Sequence, residues 1–487
     1  MTSFRPKKPI FQKITERLAI HARRLHGKTF LIELQSGRRY SFREFNELVD
    51  RTCRYFENLG LGAGDTAAAV LDNSVEFCLL YFGALRSAVR FNPYPSIFAA
   101  GDVRRDTAAI RPKVIFLPEE RREEFRDLDI KKIFLPTGTA GAFIEGLKNF
   151  SPKFSEVAVT PSDVACLYCS SGRLVDPRGI LYTHGNIAVL IPSVIRGLGL
   201  SEADIHLIVL PLAHTAALNY SLLPAAWLGA TAIVARDFWT LRDRFWGIIS
   251  GENVTYVEVV PTVLFILLHQ PVMPGRSLSL SYMACGSAPL SPDLRNEFER
   301  TFGLPVSDLF GLTETGPTHT DAVWSPGWKR GTIGRPLDCN EVAILDEEGR
   351  GLPPGKTGEI AVRGGNVFPG YAIHAGLTSS RFRDGWFLTG DLGMEDTEGY
   401  FYFKGRKKEL IIRGGINIHP GEIDEVLKTH PDVMDCGTHG MPDEFFGELI
   451  LTEVTLRGGS TATEAMLKTF LRNHLSPIKI PDSIRLR

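Results

Sequence analysis

Up to about residue 310, short apolar runs alternate with amphipathic segments, and this alternation constrains the fold of the chain most strongly. The runs at 206–212, 230–235, 254–260 and 280–285 have the length and composition of buried parallel strands. Helical stretches such as TLRDRFWGIISG lie between them. Strands that alternate with helices predict a large, layered α/β architecture.

The pattern changes between residue 335 and about 404, where Gly- and Asp-rich turns separate short β runs. We interpret this stretch as an antiparallel β subdomain that ends a large N-terminal domain, residues 1–407. A small α+β C-terminal domain, 408–487, follows and contains the amphipathic segment TATEAMLKTFLRNHL. The charged segment EERREEFRDLD, 119–129, is predicted to be the solvated face of a helix.

Composition excludes several classes of protein. The apolar share is 44%, the charged share 23% and the net charge -1, values that are ordinary for a globular enzyme and give no basic surface for nucleic acid. The seven cysteines are scattered, so we expect a reducing compartment, and the Cys166/Cys169 pair is interpreted as chance spacing. We expect a cytoplasmic protein with neither a secretory signal nor a transmembrane segment.

The run 385–424 contains the most distinctive charged residues. Asp391 follows Gly390 in what reads as a tight turn, and Arg406 follows Gly405 in a second one. A carboxylate can accept hydrogen bonds from both hydroxyls of a ribose, and a guanidinium offers several donors to phosphate or sugar oxygens. The alternative is a pair of surface hairpins with charged tips.

Four further segments place polar residues where predicted strands end. They are LYCSSGRLVDPRGILYTHGN (167–186), LPLAHTAALN (210–219), CGSAPL (285–290) and DLFGLTETGP (308–317). Ligands collect at the carboxyl ends of parallel strands, so these turns are expected to converge on one pocket.

Together these segments resemble the adenylate-forming superfamily, which contains acyl- and aryl-CoA synthetases, luciferases and adenylation domains of peptide synthetases. The resemblance covers nearly the whole chain in the right order, and GRKKELIIRGGINIHPGEI and HTAALN are most similar to acyl-CoA and 4-coumarate-type CoA ligases. It implies that ATP, Mg²⁺ and CoA take part in the reaction, and that the small domain is mobile.

The resemblance also implies roles for individual residues. Thr313 would contact the α-phosphate, Glu314 would hold Mg²⁺, and Asp391 and Arg406 would bind the nucleotide. The adenine slot would be lined by Gly286, Ser287, Ala288, Pro289, Asp308, Leu309, Phe310 and Gly311, with Phe310 where the family usually has tyrosine.

The remaining roles concern the acyl group, CoA and the motion of the small domain. The acyl pocket would contain His214, Thr215, Ala216, Thr315 and Gly316, and their small, uncharged neighbourhood suggests an apolar acyl or aryl tail. Lys408 would be the hinge, and Gly414 and Gly415 would line the CoA tunnel.

Two segments depart from the family pattern. The phosphate loop keeps Ser170, Ser171 and Gly172, and Arg178 stands where the family has lysine. Arg173 and Leu174 replace its hydroxyl residues, and Val175 replaces a glycine, which stiffens the loop. The sequence also ends at Arg487, before the family's Gly-Lys motif, so the small domain is expected to be incomplete; Lys479 is not assigned the role of that lysine.

Three functions therefore remain open. The first is an ATP-dependent acyl- or aryl-CoA synthetase that forms an acyl-adenylate and transfers the acyl group to CoA. The second is an adenylation enzyme that loads the phosphopantetheine of an acyl carrier protein. The third is a degenerate member that binds nucleotide or acyl ligand without full adenylation activity, which the altered loop favours.

Overall fold

The structure is a computed structural model that describes residues 11–136, 141–169, 179–270, 278–373, 375–407, 410–457 and 460–486. Within these ranges the strands are β1 (Thr29–Glu33), β2 (Arg39–Ser41), β3 (Thr66–Val70), β4 (Arg90–Tyr94), β5 (Val114–Pro118), β6 (Lys131–Leu135), β7 (Val164–Tyr168), β8 (Ile180–Thr183), β9 (Ile205–Ile208), β10 (Thr231–Val234), β11 (Tyr256–Val259), β12 (Met283–Gly286), β13 (Val306–Leu312), β14 (Gly316–Thr320), β15 (Arg335–Pro336), β16 (Asn340–Leu345), β17 (Thr357–Gly364), β18 (Phe382–Arg383), β19 (Trp386–Glu395), β20 (Phe401–Arg406), β21 (Ile411–Arg413), β22 (Ile416–Ile418), β23 (Val433–Asp443), β24 (Gly447–Leu456) and β25 (Ser483–Leu486).

The α-helices in the same ranges are α1 (Ile14–Arg24), α2 (Phe42–Leu59), α3 (Val75–Arg86), α4 (Ala100–Ile110), α5 (Ala142–Leu147), α6 (His184–Leu198), α7 (Thr215–Ala217), α8 (Leu223–Leu228), α9 (Phe245–Gly251), α10 (Pro261–Leu268), α11 (Pro292–Phe302), α12 (Ala375–Ser380), α13 (Pro420–Lys428) and α14 (Glu464–Arg472). A π-helical turn, Leu218–Leu222, joins α7 to α8, and short 3₁₀ turns occur at Glu119–Arg121, Arg242–Arg244 and Pro477–Lys479.

The largest sheet has the strand order β15-β14-β13-β12-β11-β9-β10-β1-β2, and its central pairs from β13 to β1 are parallel. A second sheet, β6-β5-β3-β4-β7-β8, is parallel except for its last pair. One hydrophobic core contains residues of both sheets and of α2, α3 and α6. This is the layered α/β architecture that the alternating pattern predicts.

Helix α6 illustrates how local sequence builds this layer. Thr183 caps its N-terminus by accepting from Asn186 N at 3.0 Å, and the Asn186 side chain accepts in return from Thr183 N. Gly199 ends the helix in the left-handed region, with φ +63°. The Asn186 side chain also donates to Gly365 O and so fixes the helix against the β subdomain.

The β subdomain is an antiparallel sheet in the order β16, β17, β19 and β18, and β20 also pairs with β19. The small C-terminal domain has its own sheet, β22-β21-β24-β23 with β25 beside β24, and its own core around Ile423, Ile450 and Leu467. The segment 119–129 is not the predicted helix, because only Glu119–Arg121 forms a 3₁₀ turn. Its carboxylates and arginines pair locally instead, as in Arg122 with Glu119.

A buried polar cluster joins the small domain to helix α4. This interdomain cluster consists of Asp102, Glu422, Ser476 and Lys479, each 3% exposed or less. Lys479 Nζ lies 2.6 Å from Glu422 Oε1 and 3.6 Å from Asp102 Oδ1. The Ser476 hydroxyl donates to Asp102 and accepts from Ala99 N. The lysine charge is thus shared between two carboxylates, one in each domain.

No helix in the described part of the chain has the length and apolar character needed to cross a membrane. All seven cysteines are free, Cys166 and Cys169 included.

Candidate functional site

The predicted site residues of the large sheet follow adjacent strands. Strands β9, β11, β12 and β13 are neighbours and run parallel, so their carboxyl ends lie side by side. Gly286 ends β12 and begins the turn that contains Ser287, Ala288 and Pro289. Asp308 and Leu309 lie in β13, opposite Cys285 and Gly286.

The turn after β12 approaches β13 closely. A Cβ atom on Gly286 would lie 2.9 Å from the carbonyl oxygen of Leu309, so only glycine fits without displacement. Ser287 has a positive φ of +66°, a conformation that is uncommon for a residue with a side chain. The turn is therefore held in a strained geometry, as is common at binding sites.

The hairpin of β13 and β14 holds the second group of predicted residues. A bulge separates Phe310 from Gly311, and a Cβ atom on Gly311 would lie 2.3 Å from Gly316 O. The hairpin therefore closes tightly and presents Thr313 and Glu314 in its turn, both partly exposed. The hydroxyl of Thr315, in contrast, donates inward to Gly316 O at 2.8 Å.

Glu314 is positioned by a tyrosine that the sequence interpretation missed. The Tyr371 hydroxyl donates to Glu314 Oε1 at 2.9 Å, and Phe368 N donates to Glu314 O at 2.8 Å. Tyr371 lies far along the chain in an irregular segment, where no sequence pattern indicated its partner.

The glycines before Asp391 and Arg406 suggested that both residues lie in turns, and this was wrong. The two residues are cross-strand partners in β19 and β20. Arg406 Nε lies 2.8 Å from Asp391 Oδ1, but the N–H does not point along that line, so the contact is an ion pair. Asp391 is 1% exposed, and its Oδ2 has no hydrogen-bond partner among the described residues.

Electrostatics connects Asp391 to the hairpin of Glu314. Burial raises the pKa of Asp391 to about 6, against the lowering effect of Arg406, and the charge of Glu314 contributes to the rise. Asp391 and Glu314 therefore lie within electrostatic range of each other. Burial likewise raises the pKa of Asp308 to about 8, although Arg295 lowers it.

His214 begins the helical segment above the sheet. Its Nδ1 accepts from Ala216 N at 3.3 Å and caps the short helix α7. The side chain is exposed, yet the surrounding protein lowers its pKa by desolvation, as expected for a group in a recess. Thr215 and Ala216 are buried. Gly316, in the β13–β14 hairpin, faces the helical segment that begins at His214: a Cβ atom on it would be 3.3 Å from Asn219 Nδ2.

The tip of the β21–β22 hairpin brings the small domain to the same place. Gly414 and Gly415 have φ values of +55° and +81°, which suit a two-residue hairpin turn. A Cβ atom on Gly415 would lie 2.9 Å from Val260 Cγ1 and 3.8 Å from Ser287 Cβ. The structure therefore brings the hairpin tip against the turn that follows β12.

The predicted phosphate-loop residues Ser170, Ser171, Gly172 and Arg178, and the predicted hinge Lys408, lie outside the described residues. In the described ranges there is no group of three or more His, Cys, Asp or Glu side chains that could hold a metal ion. Glu314 alone, with one oxygen bound to Tyr371, fits a magnesium ion whose other ligands are phosphate oxygens and water.

Comparison with known proteins identifies the class. The profile of the AMP-binding enzyme family matches residues 18–372, and that of the AMP-binding enzyme C-terminal domain matches residues 422–487. The chain therefore belongs to the AMP-binding enzyme family.

Individual relatives are CoA ligases. The chain is 30% identical to sulfoacetate–CoA ligase of Cupriavidus necator, over 99% of this chain and 95% of that protein. It is 31% identical to oxalate–CoA ligase of Arabidopsis thaliana, over 90% of this chain and 88% of that protein.

Two solved structures show the same fold in different liganded states. The first is a double mutant of o-succinylbenzoate CoA synthetase from Bacillus subtilis, bound with its product analogue OSB-NCoA. It superposes on this chain with a TM-score of 0.88 at 26% identity, and the match covers 98% of this chain and 95% of that one. ATP-bound MatB from Rhodopseudomonas palustris superposes with a TM-score of 0.76 at 26% identity, with the same coverage.

Proposed function

We propose that the protein is an ATP-dependent acyl-CoA synthetase of the AMP-forming type. A carboxylate oxygen of the substrate acid would attack the α-phosphorus of ATP and release pyrophosphate. The thiol of CoA would then attack the acyl carbon and release AMP. The observation that carries the proposal is the buried pair of Asp391 and Arg406 beside the hairpin of Glu314, in which one carboxylate oxygen has no partner among the described residues.

The nucleotide would bind across the carboxyl ends of β12 and β13 and would contact Asp391 in the middle of β19. Oδ2 of Asp391 is a buried acceptor that finds no donor in the part of the chain that the structure describes, and a ribose hydroxyl would supply one. Arg406 would hold the carboxylate in its charged form and add a contact to the nucleotide. The adenine would lie between the turn 286–289 and residues 308–311, against the Phe310 ring. Arg178 and the residues 170–172 are proposed phosphate contacts on the resemblance alone.

Charge neutralisation would come from few groups. Thr313 is proposed to contact the α-phosphate, and Glu314 to hold Mg²⁺, which when bound would neutralise the phosphate oxygens. Donors and cations that are fixed before the reaction stabilise the charge that develops when two anions meet. His214 would border the carboxylate of the acid, where its lowered pKa keeps the imidazole neutral at pH 7.

The arrangement of the domains favours the thioester-forming step. The Gly415 tip packs against Val260, so pantetheine is proposed to pass beside this hairpin. The domain boundary is proposed at 407/408, with Lys408 as the hinge.

CoA is the proposed acceptor, because the relatives are named CoA ligases. The substrate is a carboxylic acid; Thr215, Ala216, Thr315 and Gly316 are small and uncharged, which supports an apolar stem next to its carboxylate. Free cysteines support a reducing compartment such as the cytoplasm.

Pyrophosphate release with a panel of carboxylic acids, with and without CoA, tests the proposal. We expect release that requires Mg²⁺ and an acid, and one acyl-CoA and one AMP for each pyrophosphate when CoA is present. Glu314→Gln should lower the rate about 100-fold or more, as expected when a group that stabilises the transition state is lost. Glu348→Gln, at an exposed turn where it pairs with Arg350, serves as the control. ATP binding without pyrophosphate release from any acid would contradict the proposal and support the degenerate member instead.

A further inference from the structure

A single glutamate lies inside the apolar centre of the largest sheet. Glu258 is on β11, is 2% exposed, and is aligned with Ile208 on one neighbouring strand and Ala284 on the other. Both of these residues are apolar, so the position itself does not require a charged side chain. The sequence held the signal, since Glu258 is the only acidic residue in the apolar run 254–260.

The face of the sheet that holds Glu258 is the one covered by the proposed acyl-pocket segment. Tyr256, two residues earlier, shares this face, and its ring lies 4.9 Å from that of His206 on β9. Tyr282 also shares it, and its hydroxyl donates to Leu198 O at the end of α6. The π-helical turn Leu218–Leu222, which continues α7, packs on β9 and β11. Glu258 therefore lies between the sheet and the segment that begins at His214.

The carboxyl group has no hydrogen-bond partner among the described residues. Within the described ranges, neither Oε1 nor Oε2 of Glu258 has a hydrogen bond, and the nearby hydroxyls of Tyr220 and Tyr256 have none either. Burial raises the pKa of Glu258 to about 8, so the group is neutral at pH 7 when nothing is bound. Native proteins rarely leave buried polar groups unsatisfied, and such a group calls for a functional explanation.

We propose that Glu258 determines substrate specificity at the far end of the acyl pocket, where it binds a hydrogen-bond donor, an amine or a hydroxyl, on the tail of the acid. This rests on the proposed acyl-CoA synthetase function. It refines the expectation of an apolar tail: the walls near the carboxylate are small and uncharged, whereas the end of the pocket is polar. Val260 packs against the Gly415 tip, beside which pantetheine is proposed to pass. Glu258 lies two residues before Val260, about 7 Å along the strand, so only a short acid fits between the two positions.

Matched acids test the assignment. We would measure kcat/KM by pyrophosphate release for ω-amino, ω-hydroxy and ω-methyl acids of equal length, about four to eight carbons, chosen to span the 7 Å between Glu258 and Val260. Wild type should prefer a donor-bearing acid over the methyl acid by about 100-fold or more, because a site built for a hydrogen bond rejects the analogue that lacks it. Glu258→Leu should abolish or reverse this ranking.

The amine and the hydroxyl are separated by a second variant. Glu258→Gln keeps an acceptor but cannot become charged, so it should keep a preference for ω-hydroxy acids and lose one for ω-amino acids. A wild-type preference for methyl acids, or the same ranking in Glu258→Leu, would overturn the assignment. Glu252→Gln, the same change in a surface ion pair with Arg39, is the control.

Binding without ATP keeps the assignment independent of catalysis. The same acids should raise the thermal unfolding temperature of wild type in the order amine or hydroxyl above methyl, and Glu258→Leu should lose that order. The unliganded Glu258→Leu protein should unfold at the same temperature as wild type or at a higher one, since the variant lacks a buried carboxyl group without a partner among the described residues. A lower unfolding temperature together with an unchanged order of acids would show that Glu258 has a merely structural role. If no acid releases pyrophosphate, the proposed function fails, and the binding order alone then decides the role of Glu258.

Discussion

At the scale of single residues, the pairing of Asp391 with Arg406 is the most informative contact. Arg406 is paired with only one oxygen of the Asp391 carboxylate, and the other oxygen is buried with no donor among the residues that the structure describes. Burial outweighs the arginine and raises the pKa to about 6. A carboxylate in this state is stabilised by a ligand that brings two hydroxyl donors.

The pH dependence of ATP use should report this carboxylate. Because the pKa is raised, Asp391 is charged above about pH 6 and becomes protonated as the pH falls below it. We expect kcat/KM for ATP to fall on the acidic side of pH 6, since this parameter reports ionisations of the free enzyme. Asp391→Asn should remove the acidic limb and lower kcat/KM about 10- to 100-fold, as the loss of a hydrogen bond to a charged group predicts. An acidic limb that persists unchanged in Asp391→Asn would contradict the assignment.

The turns predicted for these two residues were wrong, and their binding role stays a prediction. Asp391 and Arg406 were selected for their chemistry, and both glycines before them do adopt positive φ. Their partnership across two strands depends on the register of β19 and β20, which no local pattern reveals. Glu258 was missed for the opposite reason: its run was correctly interpreted as a strand, and an apolar strand directs attention away from its one polar residue.

At the scale of elements, the β21–β22 hairpin shows how two glycines can differ. Both have positive φ, but only Gly415 faces the large domain, where a Cβ atom would lie 2.9 Å from Val260. At Gly414 the nearest atom to such a Cβ is Phe446 Cδ1, at 3.9 Å. A side chain would be strained at both positions, but Gly414 has space for a Cβ atom and Gly415 does not.

Alanine substitutions at these two positions should separate the half-reactions. Gly415→Ala adds a contact with Val260 to the backbone strain, which is about 1–2 kcal/mol for a left-handed residue. We expect thioester formation to slow at least about tenfold while acid-dependent pyrophosphate release is kept. Gly414→Ala carries the backbone strain without the contact and should have a smaller effect. An equal loss in both half-reactions, or equal effects of the two variants, would be inconsistent with a tip that acts only in the thioester-forming arrangement.

Strong local patterns predicted most elements, and tertiary context decided the rest. The predicted strand 230–235 is β10, and the preceding helix α8 ends at Gly229 in the left-handed region. The segment 461–475 contains helix α14, capped by Thr463. The charged segment 119–129 is mostly turns, since its side chains pair with close neighbours and with the loop at Ser96 and Phe98. A charge pattern alone does not distinguish a helix face from such a loop.

At the scale of the whole molecule, the interdomain cluster holds the two domains together. Asp102 accepts from Ser476 and faces Lys479, while Lys479 keeps Glu422 as a partner within its own domain. Burial raises the pKa of Glu422, although Lys479 opposes the rise. The cluster therefore places buried hydrogen bonds and an ion contact between the two domains in the observed arrangement.

Removing the large-domain carboxylate should weaken docking alone. In Asp102→Ala, Lys479 still has Glu422, so the small domain should remain folded, while hydrogen bonds worth about 1.5–3 kcal/mol between the domains are lost. We expect thioester formation to slow roughly 10- to 100-fold with little change in pyrophosphate release, measured in single turnovers. Asp127→Ala, at an exposed site beside Arg126, is the matched control. Equal slowing of both half-reactions would argue against a role in docking.

Lys479 belongs to the small domain, so a separation of the domains removes its charge from Asp102 but not from Glu422. When the domains separate, Asp102 loses Lys479 and, among the described residues, keeps only Arg105, 3.4 Å away on the same helix, and it stands one helical turn from Asp106, whose pKa burial raises to about 6. Salt screens exposed like charges far more than it weakens a buried ion pair. Ionic strength should therefore shift the molecule toward the separated arrangement, so that the salt content of an assay helps to set which half of the reaction is observed.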